Sequence, residues 1–190
     1  MRRIHLRYPK IMMLCAVAFT VISARTASAQ QKERTLDEIK TEAMKRAENG
    51  MYPLIGLDPA DVRDAFSHIN STNDDEWAAG FSAVADKYMN EAKSVQSSDP
   101  AKANADYIRA WRLYSFGRWP VPSSPGKKQA YAKALEAFLA HAKTMDPPLE
   151  VVRIPFENSE IVGYLRLPKN AKGPAPVVIA ISGLDSPKTT

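Results

Sequence analysis

The sequence predicts an α/β fold in which an all-helical region is followed by the first strands of a sheet. Between residues 35 and 145, apolar residues recur at helical spacing, and five segments each open on a helix-start signal. After Pro148 the spacing becomes that of strands, with two short runs separated by a turn. A third run, residues 177–181, is apolar without alternation, as in strands of a sheet that is covered on both faces.

Residues 1–29 are predicted to be a secretory leader that is separate from this fold. They contain five bases and no acid, an apolar stretch over residues 11–24, and the small-residue sequence Ala27-Ser28-Ala29. We therefore expect a signal peptide that is cleaved after Ala29, leaves Gln30 as the new N-terminus and directs the protein to the periplasm. An uncleaved membrane anchor is the alternative, and we expect membrane association only through this leader.

The rest of the chain is electrically neutral. Of its 26 bases five lie in the leader, so residues 30–190 carry 21 bases against 21 acids, which gives no electrostatic reason to expect nucleic acid as a partner. The single cysteine, Cys15, also lies in the leader, which excludes a disulfide framework and a thiol nucleophile from the body. His68 and His141 lack a second ligand at metal spacing, so we expect no metal site and no cofactor.

The helical region is divided by unusually clear start and stop signals. Thr35-Leu-Asp-Glu38 is a capping box, Gly50 ends the helix that it opens, and Asp146-Pro147-Pro148 ends the whole region. Tyr107, Trp111 and Tyr114 follow one another at helical spacing, which indicates core packing, with a ligand-lining role as the alternative. The other four starts, each an N-cap residue that is followed by proline or acids, are Asp58, Asn73, Asp99 and Ser124.

The remaining 42 residues are predicted to begin a sheet. Residues 149–156 and 161–167 are two strands joined by a turn at residues 157–159, most simply as a hairpin. A loop rich in Pro, Gly and Lys leads to the buried strand over residues 177–181, and Ser182-Gly183-Leu184 forms the tight turn after it. The chain therefore divides into a leader (1–29), a helical domain (30–148) and an incomplete sheet domain (149–190).

Residues 104–188 resemble the α/β-hydrolases related to the fermentation-respiration switch protein and to 2,6-dihydroxypseudooxynicotine hydrolase. The resemblance is carried by three features: the helices over residues 107–114 and 127–142 with Trp119-Pro-Val-Pro-Ser-Ser-Pro125 between them, the hairpin, and the sequence Gly183-Leu-Asp-Ser186. Where this chain has Ser182-Gly-Leu-Asp-Ser186, members of this family often have Gly-Gly-Leu-Asp-Ser, so Ser182 stands in place of the first glycine. The resemblance implies an α/β-hydrolase sheet that begins at the hairpin.

The resemblance also implies a role for the loop after residues 177–181. In α/β-hydrolases this loop supplies one backbone N–H of the oxyanion hole, a donor worth about 3 kcal/mol in the transition state. The donor falls on Leu184, with Gly183 permitting the turn; a plain strand-to-helix turn at Gly183 is the alternative. Relatives use the helical region as a cap over the active site, which makes three residues candidates for contact with substrate: Tyr114, Phe116 and Trp119.

The catalytic triad is not expected within these 190 residues. The nucleophile elbow Gly-x-Ser-x-Gly does not occur, since Gly80-Phe-Ser-Ala-Val fails at its last position, and both His68 and His141 precede the place of the family's histidine. We therefore expect the N-terminal portion of an exported serine esterase or acyl/C–C bond hydrolase for a small-molecule ester or ketone, inactive as it stands. The resemblance adds a possible homodimer. A non-enzymatic helical binding or interaction module is the alternative.

Overall fold

A computed structural model describes residues 33–170 and 172–181. Within these residues the chain forms five α-helices followed by a two-stranded antiparallel sheet, which confirms the predicted fold class. None of the described helices is both long and apolar enough to cross a bilayer. The elements are α1 (Leu36–Glu48), α2 (Pro59–Ser67), α3 (Asp74–Val95), α4 (Pro100–Gly117), α5 (Pro125–Ala142), β1 (Glu150–Phe156) and β2 (Ser159–Leu165).

Every helix begins at its predicted start signal. At α1 the Thr35 hydroxyl accepts the Glu38 backbone N–H at 3.2 Å, while the Glu38 carboxylate accepts the Thr35 N–H at 2.8 Å. At α3 the Asn73 side-chain oxygen accepts two backbone N–H groups of the first turn, at 2.9 and 3.1 Å. These bonds satisfy donors that have no partner within the helix, so they fix where each helix starts. The other three N-cap side chains that accept such a bond are Asp58, Asp99 and Ser124.

The centre of the helical region is a cluster of aromatic rings contributed by α2, α3 and α4. Phe81 is fully buried, and its ring meets Phe66 at 5.4 Å, Trp77 at 5.3 Å and Phe116 at 4.8 Å between centroids. The pairs with Phe66 and Phe116 are edge-on and the pair with Trp77 is tilted, and aromatic pairs of this kind add about 0.5–1.5 kcal/mol each beyond the free energy of burial. The cluster therefore anchors the end of α4 against the start of α3.

A glycine sets the distance between α2 and α3. A Cβ atom on Gly80 would lie 2.5 Å from Ile69 Cγ1 and 3.0 Å from the Ala65 carbonyl oxygen. Both of those residues are wholly buried, so they have little room to move away. Only a residue without a side chain allows the two helices to approach this closely.

The two strands form the predicted hairpin. β1 and β2 pair antiparallel with Ile154 opposite Ile161, and residues 157–158 form the turn, in which Glu157 has a φ of 51°. The Tyr164 ring packs 5.3 Å from the Phe138 ring of α5, which places β2 beside that helix.

The predicted buried strand over residues 177–181 is wrong for this structure. These residues have no strand geometry, and the side chains of Val178 and Ile181 are 91% and 89% exposed. A strand that is apolar on both faces forms only between paired neighbours that cover it. In the described part of the chain the sheet has two strands, and neither pairs with residues 177–181.

Candidate functional site

Two of the three residues predicted to contact substrate line one cavity. Phe116 and Trp119 form part of the wall of a cavity of about 460 Å³ between α1, the loop that follows it, the start of α3 and the end of α4. This volume lies within the range of small-molecule sites in proteins. The remaining apolar wall comes from residues distant in sequence: Leu36, Ile39, Ala43, Tyr52, Pro53, Leu54, Trp77 and Pro120.

The end of α4 positions these two aromatic residues. The Phe116 carbonyl accepts both the Trp119 backbone N–H at 3.0 Å and the Trp77 indole N–H at 3.2 Å. The Trp119 ring stands edge-on to the Tyr52 ring at 5.3 Å. Hydrogen bonds and ring packing from three elements therefore hold this wall, which suits a preformed pocket.

The structure does not bring Tyr114 to this cavity. Tyr114 is buried, its hydroxyl donates to the Asp86 carboxylate, and Lys133 binds the same carboxylate at 2.7 Å. Burial, and after it the hydrogen bond to Asp86, raises the pKa of Tyr114 well above its ordinary value. Residues two apart in a helix point about 200° away from each other, so Tyr114 and Phe116 face different neighbours. Helical periodicity alone predicts this separation.

Four of the five charged side chains in the cavity wall form two ion pairs, and the fifth, Arg34, donates to the Glu38 carbonyl at 3.1 Å. Lys127 is buried and bound to Asp74, and Arg46 binds Glu42 at 2.7 Å. The hydrogen bond from Lys127, followed by one from Ser123, holds the pKa of Asp74 below its ordinary value. Sequence reasoning missed these residues because they come from three helices and share no motif.

Arg118, the residue after the last turn of α4, is a buried cation whose side chain does not line this cavity. Its exposed fraction is 7%, its Nη1 donates to the Pro120 carbonyl at 3.1 Å, and its buried Nε has no hydrogen-bond partner. Its guanidinium also lies 5.9 Å from the centre of the Tyr131 ring. Burial lowers the pKa of Arg118, against a smaller opposing effect of the Tyr131 and Tyr52 phenols.

A larger groove of about 880 Å³ lies between the end of α3 and parts of α4 and α5, and it contains none of the predicted site residues. Tyr107 lines it and donates to the Gln96 side chain at 3.0 Å, while Trp111 packs on Phe138 at 5.4 Å. Trp111 therefore packs between helices, whereas Tyr107 is buried and also forms part of the groove wall.

The other predicted sites lie away from this cavity or outside the described residues. The oxyanion-hole residues Gly183 and Leu184, and the cleavage site at Ala29 and Gln30, lie outside the described residues. Residues 33–170 and 172–181 contain no group of three or more His, Cys, Asp or Glu side chains that could hold a metal ion. His141 Nδ1 lies 2.6 Å from the Asn104 side-chain oxygen, so this ring nitrogen has a hydrogen-bonding partner.

Comparison with known proteins identifies the family. Residues 20–190 match the family model described as "Esterase FrsA-like". The chain is 26% identical over 141 residues to hydrolyase poxO of Penicillium oxalicum, covering 70% of this chain and 34% of that protein. It is 27% identical over 156 residues to alpha/beta hydrolase ucsC of Acremonium sp, covering 72% and 31%. The chain thus spans about a third of the length of these relatives. Because the family match covers most of its residues, the chain belongs to the FrsA-like esterases, within the α/β-hydrolases.

Proposed function

We propose that these residues form the substrate-binding cap and the start of the sheet of an exported serine esterase or acyl/C–C bond hydrolase. Its substrate would be a small-molecule ester or ketone. The observation that supports the proposal is the cavity lined by Phe116 and Trp119, two of the three residues that family resemblance marked for contact with substrate. A cap that closes over a bound substrate excludes water, which strengthens the electrostatic interactions that stabilise the transition state.

The chemistry divides between this chain and residues that it does not contain. Attack by a serine on a carbonyl carbon places negative charge on the carbonyl oxygen, and a backbone N–H directed at that oxygen stabilises it. In the proposal Leu184 supplies this N–H, and Gly183 allows the turn that presents it. The nucleophile, the acid and the histidine come from elsewhere, since no Gly-x-Ser-x-Gly occurs in the 190 residues. We therefore expect no ester turnover by this chain alone.

Active-site labelling tests this division. The purified 190-residue chain is expected to hydrolyse p-nitrophenyl esters no faster than buffer and to gain no mass from a fluorophosphonate, which reacts with activated serines. A serine adduct on this chain would contradict the proposal. The reading frame after the Thr190 codon is expected to encode Gly-x-Ser-x-Gly and a later histidine. Unrelated sequence there would favour the non-enzymatic binding module instead.

Export by the leader is tested separately. We expect the periplasmic form to begin at Gln30, which N-terminal sequencing of that fraction reads directly. Replacing Ala29→Lys removes the small residue required at the cleavage site and should leave the leader attached. A cytoplasmic protein of unprocessed mass would contradict export. The homodimer implied by family resemblance stays a prediction that light scattering can check.

A further inference from the structure

Lys127 is a buried cation that lines the 460 Å³ cavity together with its counterion. Only 5% of its side chain is exposed, and its ammonium group binds the carboxylate of Asp74, which is another residue of the cavity wall. Because the short side chain of Asp74 reaches the wall, the ammonium group that is bound to it lies at the wall as well. This end of the Lys127 side chain is therefore within reach of a ligand in the cavity.

The ammonium group of Lys127 has two unused donors. A lysine ammonium carries three N–H donors, and among the described residues the one hydrogen bond of this group goes to Asp74. A hydrogen bond with a charged donor is stronger than one between neutral groups, and burial removes the water that competes for it. A ligand oxygen that enters the cavity can therefore gain a strong hydrogen bond here.

The place of Lys127 in α5 is one that local stability does not favour. It is the third residue of the helix, where the helix dipole is positive and disfavours a cation. Burial adds a desolvation cost, which the pair with Asp74 offsets. An apolar residue would avoid both costs, so neither helix formation nor packing explains a lysine at this position.

Aromatic side chains lie next to this ion pair. Asp74 and Trp77 are three residues apart in α3, so their side chains lie on the same face of the helix, and both line the cavity. The Trp77 ring packs 5.5 Å from the ring of Phe116. Aromatic rings pack favourably against one another in edge-on or offset geometry. This wall therefore suits an aromatic group whose substituent reaches Lys127.

The charges of the wall favour a neutral substituent over an anion. Asp74 already neutralises Lys127, and it would repel a second carboxylate on the same ammonium group. Arg46 and Glu42 neutralise each other in the same way. Arg34 is exposed, so water and salt screen its charge. A neutral oxygen can accept from the unused donors without meeting this repulsion.

We propose that Lys127 is the specificity-determining residue of this cavity and donates a hydrogen bond to a neutral oxygen on the aromatic part of the ligand. The ring of that ligand packs against the aromatic wall, which consists of Tyr52, Trp77, Phe116 and Trp119. The inference rests on the proposed function only in taking this ligand for the substrate.

Binding of three probes of nearly the same shape to the 190-residue chain tests the proposal. Acetophenone carries a neutral oxygen, isopropylbenzene carries none, and benzoate carries a charged carboxylate. Fluorine NMR of 5-fluorotryptophan protein reports where they bind, because Trp77 and Trp119 line the cavity whereas Trp111 packs on Phe138 outside it. We expect acetophenone to shift the first two signals and to bind more tightly than benzoate. Absence of these shifts, or tighter binding of benzoate, would overturn the proposal.

A substitution then tests the hydrogen bond itself. Lys127→Met keeps an unbranched side chain and removes the donors, so it should weaken acetophenone binding by about tenfold or more. Isopropylbenzene makes no such bond, and its affinity should be unchanged, which also shows that the cavity is intact. Equal effects on the two probes would overturn the proposal.

The matched control is Lys133→Met, which removes another lysine of α5 that binds an aspartate, Asp86 at 2.7 Å, and that does not line the cavity. It should leave both affinities unchanged, and an equal loss of acetophenone binding here would contradict the role of Lys127. None of these measurements follows ester turnover. Failure of the binding test is therefore distinguishable from failure of the proposed hydrolase function, which the reading frame after Thr190 decides.

Discussion

Replacing Gly80 by alanine tests whether close approach of α2 and α3 determines stability. The new Cβ would lie 2.5 Å from Ile69 Cγ1, 2.9 Å from Ile69 Cδ1 and 3.0 Å from the Ala65 carbonyl oxygen. Ile69 is fully buried and the carbonyl belongs to the backbone of α2, so neither can yield without moving the helix. The substitution adds one methyl group and changes no charge.

Two effects of opposite sign set the magnitude. Alanine is favoured over glycine inside a helix by about 1 kcal/mol. Overpacking a well-filled core costs about 1–3 kcal/mol, and contact with backbone favours the upper part of that range. We therefore expect Gly80→Ala to lower the free energy of unfolding by about 1–2 kcal/mol. In a domain of this size that corresponds to a fall in melting temperature of about 2–8 °C.

Urea denaturation followed by circular dichroism measures the change. Gly163→Ala is the matched control, because a Cβ there meets no atom within 4 Å, and its stability should stay within about 0.5 kcal/mol of the wild type. Ile69→Ala removes both side-chain atoms that crowd the new Cβ. Its cost should be smaller in the Gly80→Ala background than alone, since the clash disappears. A Gly80→Ala protein as stable as the wild type would refute the reasoning.

Two further predictions concern polar groups. Tyr114→Phe should lower the free energy of unfolding by about 1.5–3 kcal/mol, since the hydrogen bond to Asp86 is lost. Urea denaturation measures the change, and a stability within about 0.5 kcal/mol of the wild type would contradict it. Asp74→Asn should cost about 1.5–3 kcal/mol at neutral pH, because buried Lys127 loses its anion. The pKa of Asp74 is lowered on folding, so its contribution is present above pH 3.8 and is lost as the pH falls through the folded value. Stability curves of wild type and variant should therefore converge in acid, and a constant difference would contradict this.

Helix starts were predictable because the interactions that fix them are local. Thr35 and Asn73 each bond to backbone groups within three residues, so the necessary chemistry lies within four consecutive letters. The hairpin was predictable for the same reason, since its turn occupies only residues 157–158. The second strand was predicted to begin at its first apolar residue, Ile161, whereas β2 begins at Ser159. Backbone pairing extends to the polar residues next to the turn, which a pattern of apolar residues does not show.

Non-local features were harder to predict. The apolar run at residues 177–181 has strand composition, but a strand needs a neighbour for its backbone groups, and composition does not supply one. The candidate site had a mixed outcome: Phe116 and Trp119 share the cavity, whereas Tyr114 lies against Asp86 and Lys133. The family resemblance marked all three residues as candidates. The direction in which each side chain points decides that two of them reach the cavity and Tyr114 does not.

By itself, the sequence determined the helix starts, the hairpin and the family, because each depends on short segments that can be read directly from the order of residues. Tertiary structure alone decided which distant segments enclose a cavity together with Phe116 and Trp119, and which buried charges are neutralised. Lys127 meets Asp74 across 53 positions of the chain, whereas Arg118 meets no carboxylate among the described residues. Packing of distant helices determines such pairings, since burial removes the water that would otherwise solvate either charge.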